Sequence, residues 1–172
     1  QRRRIYARLT GEKTMALRLE DIELIKQLKY KYCRAIDTCD LALLETLLTP
    51  DAEVDYQGGI YRFKYEGREN VLQAIREAFN PQLVSSHTVH HPIIEVHDDD
   101  TADGHWTLID WTMSIAFGNT VVEGSSFYVD KYVKQDGRWL IRKATYSRLF
   151  ERVHQIENPN LTAHLLGSKA GA

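Results

Sequence analysis

The chain has 172 residues, with 22 basic and 24 acidic side chains, a formal net charge of -2 and 43% hydrophobic residues. That length and apolar content specify one domain with ample material for a core. The near balance of charge excludes a basic nucleic-acid surface, and no apolar run approaches the ~20 residues needed to span a bilayer.

Residues 1–14, QRRRIYARLTGEKT, are basic and carry no amphipathic pattern. They are expected to form an extension outside the fold, with Met15 a candidate for the natural start. No N-terminal stretch has the apolar core of a signal peptide. From Leu19 to Asp37, Ile22, Ile25, Leu28, Tyr32 and Ile36 recur at spacings of three and four, which predicts an amphipathic helix. A short second helix is expected over 41–49, stopped by Pro50. AEVDYQ and YRFKYEG flank Gly58 and Gly59 and read as a hairpin. A third helix is predicted over 67–80, with Val71, Leu72, Ile75 and Phe79 on one side and Pro81 as its stop.

The remainder reads as strand, over 83–96, 104–117, 121–134 and 138–150. Strands this long, joined by short turns, predict a strongly curved antiparallel sheet. Pro92 and the pair Gly124 and Ser125 are the expected bulge sites. Helices first and a meander after is an α+β order, a half-open cone with an interior. The tail 154–172 is expected to close over the mouth of that cone or to pack on a neighbouring subunit. Cys33 and Cys39, six apart on or just beyond one helix, are poorly placed to bond each other and read as reduced thiols of a cytoplasmic protein.

Several polar residues fall where the pattern predicts a core. Asp110 is the only formally charged side chain between Asp103 and Glu123 and is expected to face inward. His87, His90 and His91 crowd one strand. His87 and His91 share a face but lie about 13 Å apart along a strand, and His90 points away, so they are not expected to share a metal ion, and no ligand spacing supports one. A single histidine supplying acid–base chemistry fits better. Asp37 ends the first helix, where the dipole disfavours a negative charge. It is either exposed or held by a cation or an imidazole. Arg148 alternates with Tyr146 and Phe150 on the last strand, and either pairs with Asp110 or clamps an anionic or carbonyl group. There is no glycine-rich phosphate loop and no GxSxG, so no cofactor is expected.

With these residues in view, the chain resembles the SnoaL-like branch of the NTF2-like superfamily over about Leu19 to Arg152. The resembling stretches are DIELIKQLKYKYCRAIDTCDLALLETLLTPDAEV, HTVHHPIIEV, GHWTLID and FYVDKYVKQDGRWLIRKATYSRLFE. Within that branch the similarity is greatest to bile-acid 7α-dehydratases, with scytalone dehydratase and a hexachlorocyclohexane dehydrochlorinase more distant. The resemblance implies a cone-shaped α+β fold, a curved mixed or antiparallel sheet around three N-terminal helices, over residues 15–153. It also implies a cofactor-free lyase that uses a His/Asp pair. Its Y-x4-D pattern falls on Tyr32 and Asp37, its histidine on His87, its strand aspartate on Asp110 and its arginine on Arg148. Tyr56, Trp106, Leu108, Phe127 and Tyr146 are the expected substrate-binding wall.

The expected substrate is a hydrophobic, steroid-like or polycyclic hydroxy-carbonyl compound, with no nucleic-acid or membrane partner. An isomerase of the ketosteroid type, a polyketide cyclase and a non-catalytic binder remain open alternatives. Tyr128, Tyr132 and Trp139 are placed on the outer sheet face, as the contact of a homodimer or homotrimer.

Overall fold

A computed structural model describes residues 17–169, so the predicted extension over 1–14 lies outside the described residues. The elements follow the expected order: helix α1 (Leu19–Asp37), α2 (Leu41–Leu47), strands β1 (Leu48–Gln57) and β2 (Arg62–Glu66), α3 (Arg68–Ala78), then β3 (Leu83–Val96), β4 (Thr101–Ser114), β5 (Thr120–Gln135), β6 (Arg138–Gln155) and a last turn of helix, α4 (Leu165–Lys169). The sheet runs β2-β1-β6-β5-β4-β3. Every neighbouring pair is antiparallel except β1 and β6, which are parallel, so the sheet is mixed and open.

Local chemistry sets the boundaries. Asp40 caps α2, its carboxylate accepting from the Leu43 N–H at 3.0 Å. The predicted second helix stops two residues early, because Leu48 already pairs with Ile141 of β6. Pro50 therefore lies in β1, within the stretch between Leu48 and Glu53 where the register shifts and a missing N–H costs no ladder bond. β4 starts three residues earlier than predicted, where the His97 N–H closes a tight turn on the Thr101 carbonyl at 2.9 Å. β6 runs on to Gln155, paired with Thr120.

Both predicted bulge sites carry register shifts. One spans Pro92, between His90 and Ile93, and leaves His91 at φ 50°. The other lies beside Ser125, where Ser126 faces Arg148 but Ser125 faces Phe150, leaving Leu149 as an extra residue in β6. A side chain at Gly124 would come within 2.3 Å of the Phe150 carbonyl oxygen, so this crossing of β5 and β6 requires glycine.

The core lies between α1 and the concave face of the sheet. Ile25, Leu28, Tyr32 and Ile36 of α1 meet Trp106, Leu108, Tyr128 and Ile141, and Val71 and Ile75 of α3 join the same cluster. Tyr128, Tyr132 and Trp139, expected on the outer face, are buried in this core. The outer face instead exposes Ile109, Phe127, Val129 and Phe150. The inversion has a physical cause. Asp130 shares a face of β5 with Tyr128 and Tyr132, which reads as a wetted face. It is wholly buried because Lys29 of α1, equally buried, reaches it at 2.8 Å and covers the Tyr128 ring at 3.3 Å. The Tyr132 hydroxyl donates to the same carboxylate at 2.7 Å and accepts from Trp106 Nε1 at 3.0 Å. Burial pushes the Asp130 carboxyl up from its ordinary value, against the pull of Lys29.

The tail folds back on its own chain. His164 Nε2 lies 3.0 Å from the Leu83 carbonyl oxygen, Lys169 Nζ donates to the Thr38 carbonyl at 3.0 Å, and Leu166 is buried. No described helix is long and apolar enough to cross a membrane.

Asp130→Ala strands the Lys29 charge without its partner and is expected to lower the unfolding free energy by about 3–5 kcal/mol. Urea denaturation measures this. A loss under about 1 kcal/mol, the range of an exposed pair, would show that the two groups are not ionised together.

Candidate active site

The last residue of α1 and the first half of β3 build one side of the site. Asp37 points across to β3, where Ser85 and His87 share a face two residues apart. One of its oxygens, Oδ1, lies 2.6 Å from His87 Nδ1 and accepts from Ser85 Oγ at 2.8 Å, while Oδ2 accepts from the His87 backbone N–H at 2.8 Å. The carboxylate therefore fixes the Nδ1–H tautomer and leaves the lone pair on Nε2. Burial pushes the Asp37 carboxyl up, but the hydrogen bond and charge of His87, its backbone N–H and Ser85 together bring it below its ordinary value.

Register then places the other groups. Asp110 of β4 is the cross-strand partner of His87 on β3 and of Gly124 on β5. Arg148 of β6 lies opposite Ser126 of β5 and forms a two-pronged pair with Asp110, Nη2 donating to Oδ2 at 2.9 Å and Nη1 to Oδ1. Two residues back along β6, Tyr146 pairs in register with Tyr56 of β1 and Tyr128 of β5. The Tyr146 and Tyr56 rings stack at 4.6 Å, and Tyr128 meets both edge-on.

These side chains surround a cavity of about 190 Å³, open on one side. His87, Asp110, Arg148, Tyr56, Tyr128 and Tyr146 line it, together with Tyr61, Thr112 and an apolar wall of Ile36, Phe63, Ile75, Ala78, Phe79, Leu83 and Val122. The Phe79 ring lies 5.9 Å from the imidazole of His87. No described group of histidine, cysteine, aspartate and glutamate side chains is arranged to hold a metal ion.

The expected site residues divide. His87, Asp110, Arg148, Tyr56 and Tyr146 line this cavity, and Asp37 holds His87 from outside the lining. Tyr32 is wholly buried behind the wall, and its hydroxyl bonds that of Tyr56. Trp106 and Leu108 belong to the packed layer under α1 and do not reach the cavity. Phe127 faces outward and is half exposed, because the buried Asp130 turns the even positions of β5 inward. Phe150 leaves the face of Arg148 as well, since the extra residue Leu149 switches the alternation.

Sequence reasoning missed Ser85, Thr112 and Ser126, and with them Tyr61 and Glu151. Tyr61 sits in the loop between β1 and β2, where no periodicity gives a direction. Its hydroxyl accepts from Arg148 Nη2 at 2.9 Å and pairs with that of Tyr146. Glu151 is three residues beyond Arg148 and belongs on the opposite face by strict alternation. The bulge brings it inside, where it accepts from Arg148 Nε at 3.0 Å. The expected bulge near Gly124 was the signal for it.

The SnoaL-like domain family matches residues 17–145, and the chain belongs to that family. Among solved structures, a type-2 hexachlorocyclohexane dehydrochlorinase, LinA, is similar, with a TM-score of 0.71 and 20% identity over 83% of this chain and 96% of that one. A protein from Novosphingobium aromaticivorans that carries the provisional name scytalone dehydratase superposes with a TM-score of 0.70 and 17% identity, over 80% of this chain and 90% of that one. LinA type 3 from Novosphingobium barchaimii gives 0.69 and 20% identity, over 80% and 92%. At these identities the likeness is one of fold.

A carboxyl held below its ordinary value contributes stability that is present above the unfolded value of about 3.9. That contribution is lost as pH falls through the lower folded value. The wild-type protein is therefore expected to lose more stability than Asp37→Asn between about pH 5 and about pH 2. Thermal unfolding of both proteins across that range checks it, and equal losses would contradict the assignment.

Proposed function

We propose that the protein is a cofactor-independent lyase, a dehydratase acting on an uncharged cyclic hydroxy-carbonyl compound. One observation carries the reading: an imidazole whose Nδ1 is held by a carboxylate stands at the wall of an apolar, aromatic-lined cavity. In that arrangement Nε2 of His87 removes the proton on the carbon next to the substrate carbonyl. The C–H electron pair passes into the carbonyl as an enolate. It then returns to form the carbon–carbon double bond as the C–O bond of the β-hydroxyl breaks. The imidazolium gives its proton to the departing hydroxide, so water leaves and neutral His87 is restored. Asp37 stabilises the imidazolium in between.

Tyr32, on which the tyrosine of the Y-x4-D pattern falls, does not reach the cavity itself and bonds the Tyr56 hydroxyl from behind. Burial raises the Tyr32 phenol well above its ordinary value, which keeps it a donor. The enclosed space is somewhat larger than the ~150 Å³ of an apolar cavity that holds benzene. The reacting ring would lie inside, and the rest of a polycyclic substrate would extend through the open side.

The test is turnover of a panel of cyclic β-hydroxy ketones, with loss of water read by mass spectrometry. His87→Ala is expected to reduce turnover at least ~100-fold if general-base catalysis dominates. A near-normal rate would remove His87 from the role. Double-bond migration with no loss of water would point to an isomerase, and binding with no product to a carrier.

A further inference from the structure

Among the described residues Arg148 is the one Lys or Arg side chain lining the cavity, yet it has nothing left to offer a ligand. A guanidinium has five N–H donors. In Arg148, Nε–H goes to Glu151 Oε2 at 3.0 Å. The two Nη1 donors go to Asp110 Oδ1 and to Ser126 Oγ at 3.2 Å. The two Nη2 donors go to Asp110 Oδ2 and to the Tyr61 hydroxyl, each at 2.9 Å. The side chains of Arg148, Asp110 and Glu151 are 8%, 5% and 8% exposed, so solvent does not compete. Two carboxylates against one guanidinium leave this cluster with an excess negative charge.

Asp110 also lines the cavity but only accepts, so the N–H donors of Arg148 reach a ligand through the tyrosine pair. Tyr61 and Tyr146 have one hydroxyl proton each, and one of the two is spent in the bond between them. Arg148 only donates, and no other described side chain or backbone group accepts from either hydroxyl. One phenolic proton is therefore left to point into the cavity. A hydroxyl that accepts from a cation becomes the better donor, so Tyr61 donates to Tyr146 and the spare proton is on Tyr146. Burial, with Tyr61 beside it, raises the Tyr146 phenol far above its ordinary value and keeps that proton in place. The loop carrying Tyr61 is pinned to the same cluster, its Gly59 N–H donating to Glu151 Oε1 at 3.1 Å.

We infer that Tyr146 is the hydrogen-bond donor to the substrate's carbonyl oxygen, that Arg148 acts on it through Tyr61 as a positioning residue, and that the cavity takes uncharged carbonyl compounds and rejects carboxylates. This rests on the proposed lyase reading for the role of the carbonyl. It assigns Arg148 a task other than clamping an anion.

The test needs no turnover. α-Tetralone, a neutral bicyclic ketone, serves as the probe, and its C=O stretch is recorded by difference infrared spectroscopy in the wild-type, Tyr146→Phe and Tyr61→Phe proteins. Both substitutions keep the rings. The bound C=O band is expected at lower frequency in the wild type, at its apolar-solvent position in Tyr146→Phe, and between the two in Tyr61→Phe. The α-naphthoate anion is expected to bind the wild type at least ~10-fold more weakly than α-tetralone, because its charge finds no free donor. A band unmoved by Tyr146→Phe, a Tyr61→Phe band identical to wild type, tighter binding of α-naphthoate, or no binding of α-tetralone would each overturn the inference. A His87→Ala protein that binds α-tetralone with the wild-type band but has lost turnover supports both readings. A wild-type band shift in a protein that dehydrates nothing would retain this inference and remove only the lyase.

Discussion

The guanidinium of Arg148 is the junction on which the site depends. It gathers β4 through Asp110, β5 through Ser126, the end of β6 through Glu151 and the β1–β2 loop through Tyr61. A buried cation held by two carboxylates is costly to assemble, and removing the guanidinium leaves both carboxylates without compensation. The strands that carry these groups can therefore shift relative to one another only by breaking the cluster. The neighbouring strand has its own clamp, the Asp37 carboxylate that joins the end of α1 to β3. Around these two polar fixtures the lining is aromatic and aliphatic, which strengthens any hydrogen bond formed to a bound molecule.

Much of this was legible in the chain. The three-and-four spacing of α1 gave its extent, and an aspartate alone among apolar neighbours marked Asp110 as an inward charge. Proline and paired small residues located both bulges. The partner of His87 was legible too, because a carboxylate at the unfavourable end of a helix needs a compensating group. The misses at Tyr61 and Glu151 have a different origin. Tyr61 lies where neither a helical nor a strand period applies. Glu151 obeys an alternation that the extra residue Leu149 resets. The assignment of Tyr128, Tyr132, Trp139 and Phe127 to the wrong faces came from a long-range pair. Nothing in β5 announces that Asp130 will meet Lys29 about a hundred residues earlier in the chain, and a strand containing an aspartate is naturally read with that face in water.

The same reasoning separates the two tyrosine pairs. Tyr32 and Tyr56 are joined by a helix resting on a strand, and Tyr61 and Tyr146 by a loop closing on a strand. Stacking of Tyr56 on Tyr146 places the front member of each pair side by side. The cavity thus has a phenolic end and an imidazole end. A ligand with an acceptor on one ring position and an acidic C–H on another has a defined way to lie.

The close approach of β5 to β6 at Gly124 has a bearing on how this site could diverge. The contact is with a main-chain oxygen, which cannot step aside by changing rotamer as a side chain can. Any larger residue there would translate the distal end of β6 and detach Glu151, with Gly59 losing its anchor in turn. Selection for a new ligand therefore has little freedom along this seam. It has far more on the facing wall of Phe63, Phe79 and Leu83, where exchanging one apolar side chain for another reshapes the hollow and leaves the ionic frame intact.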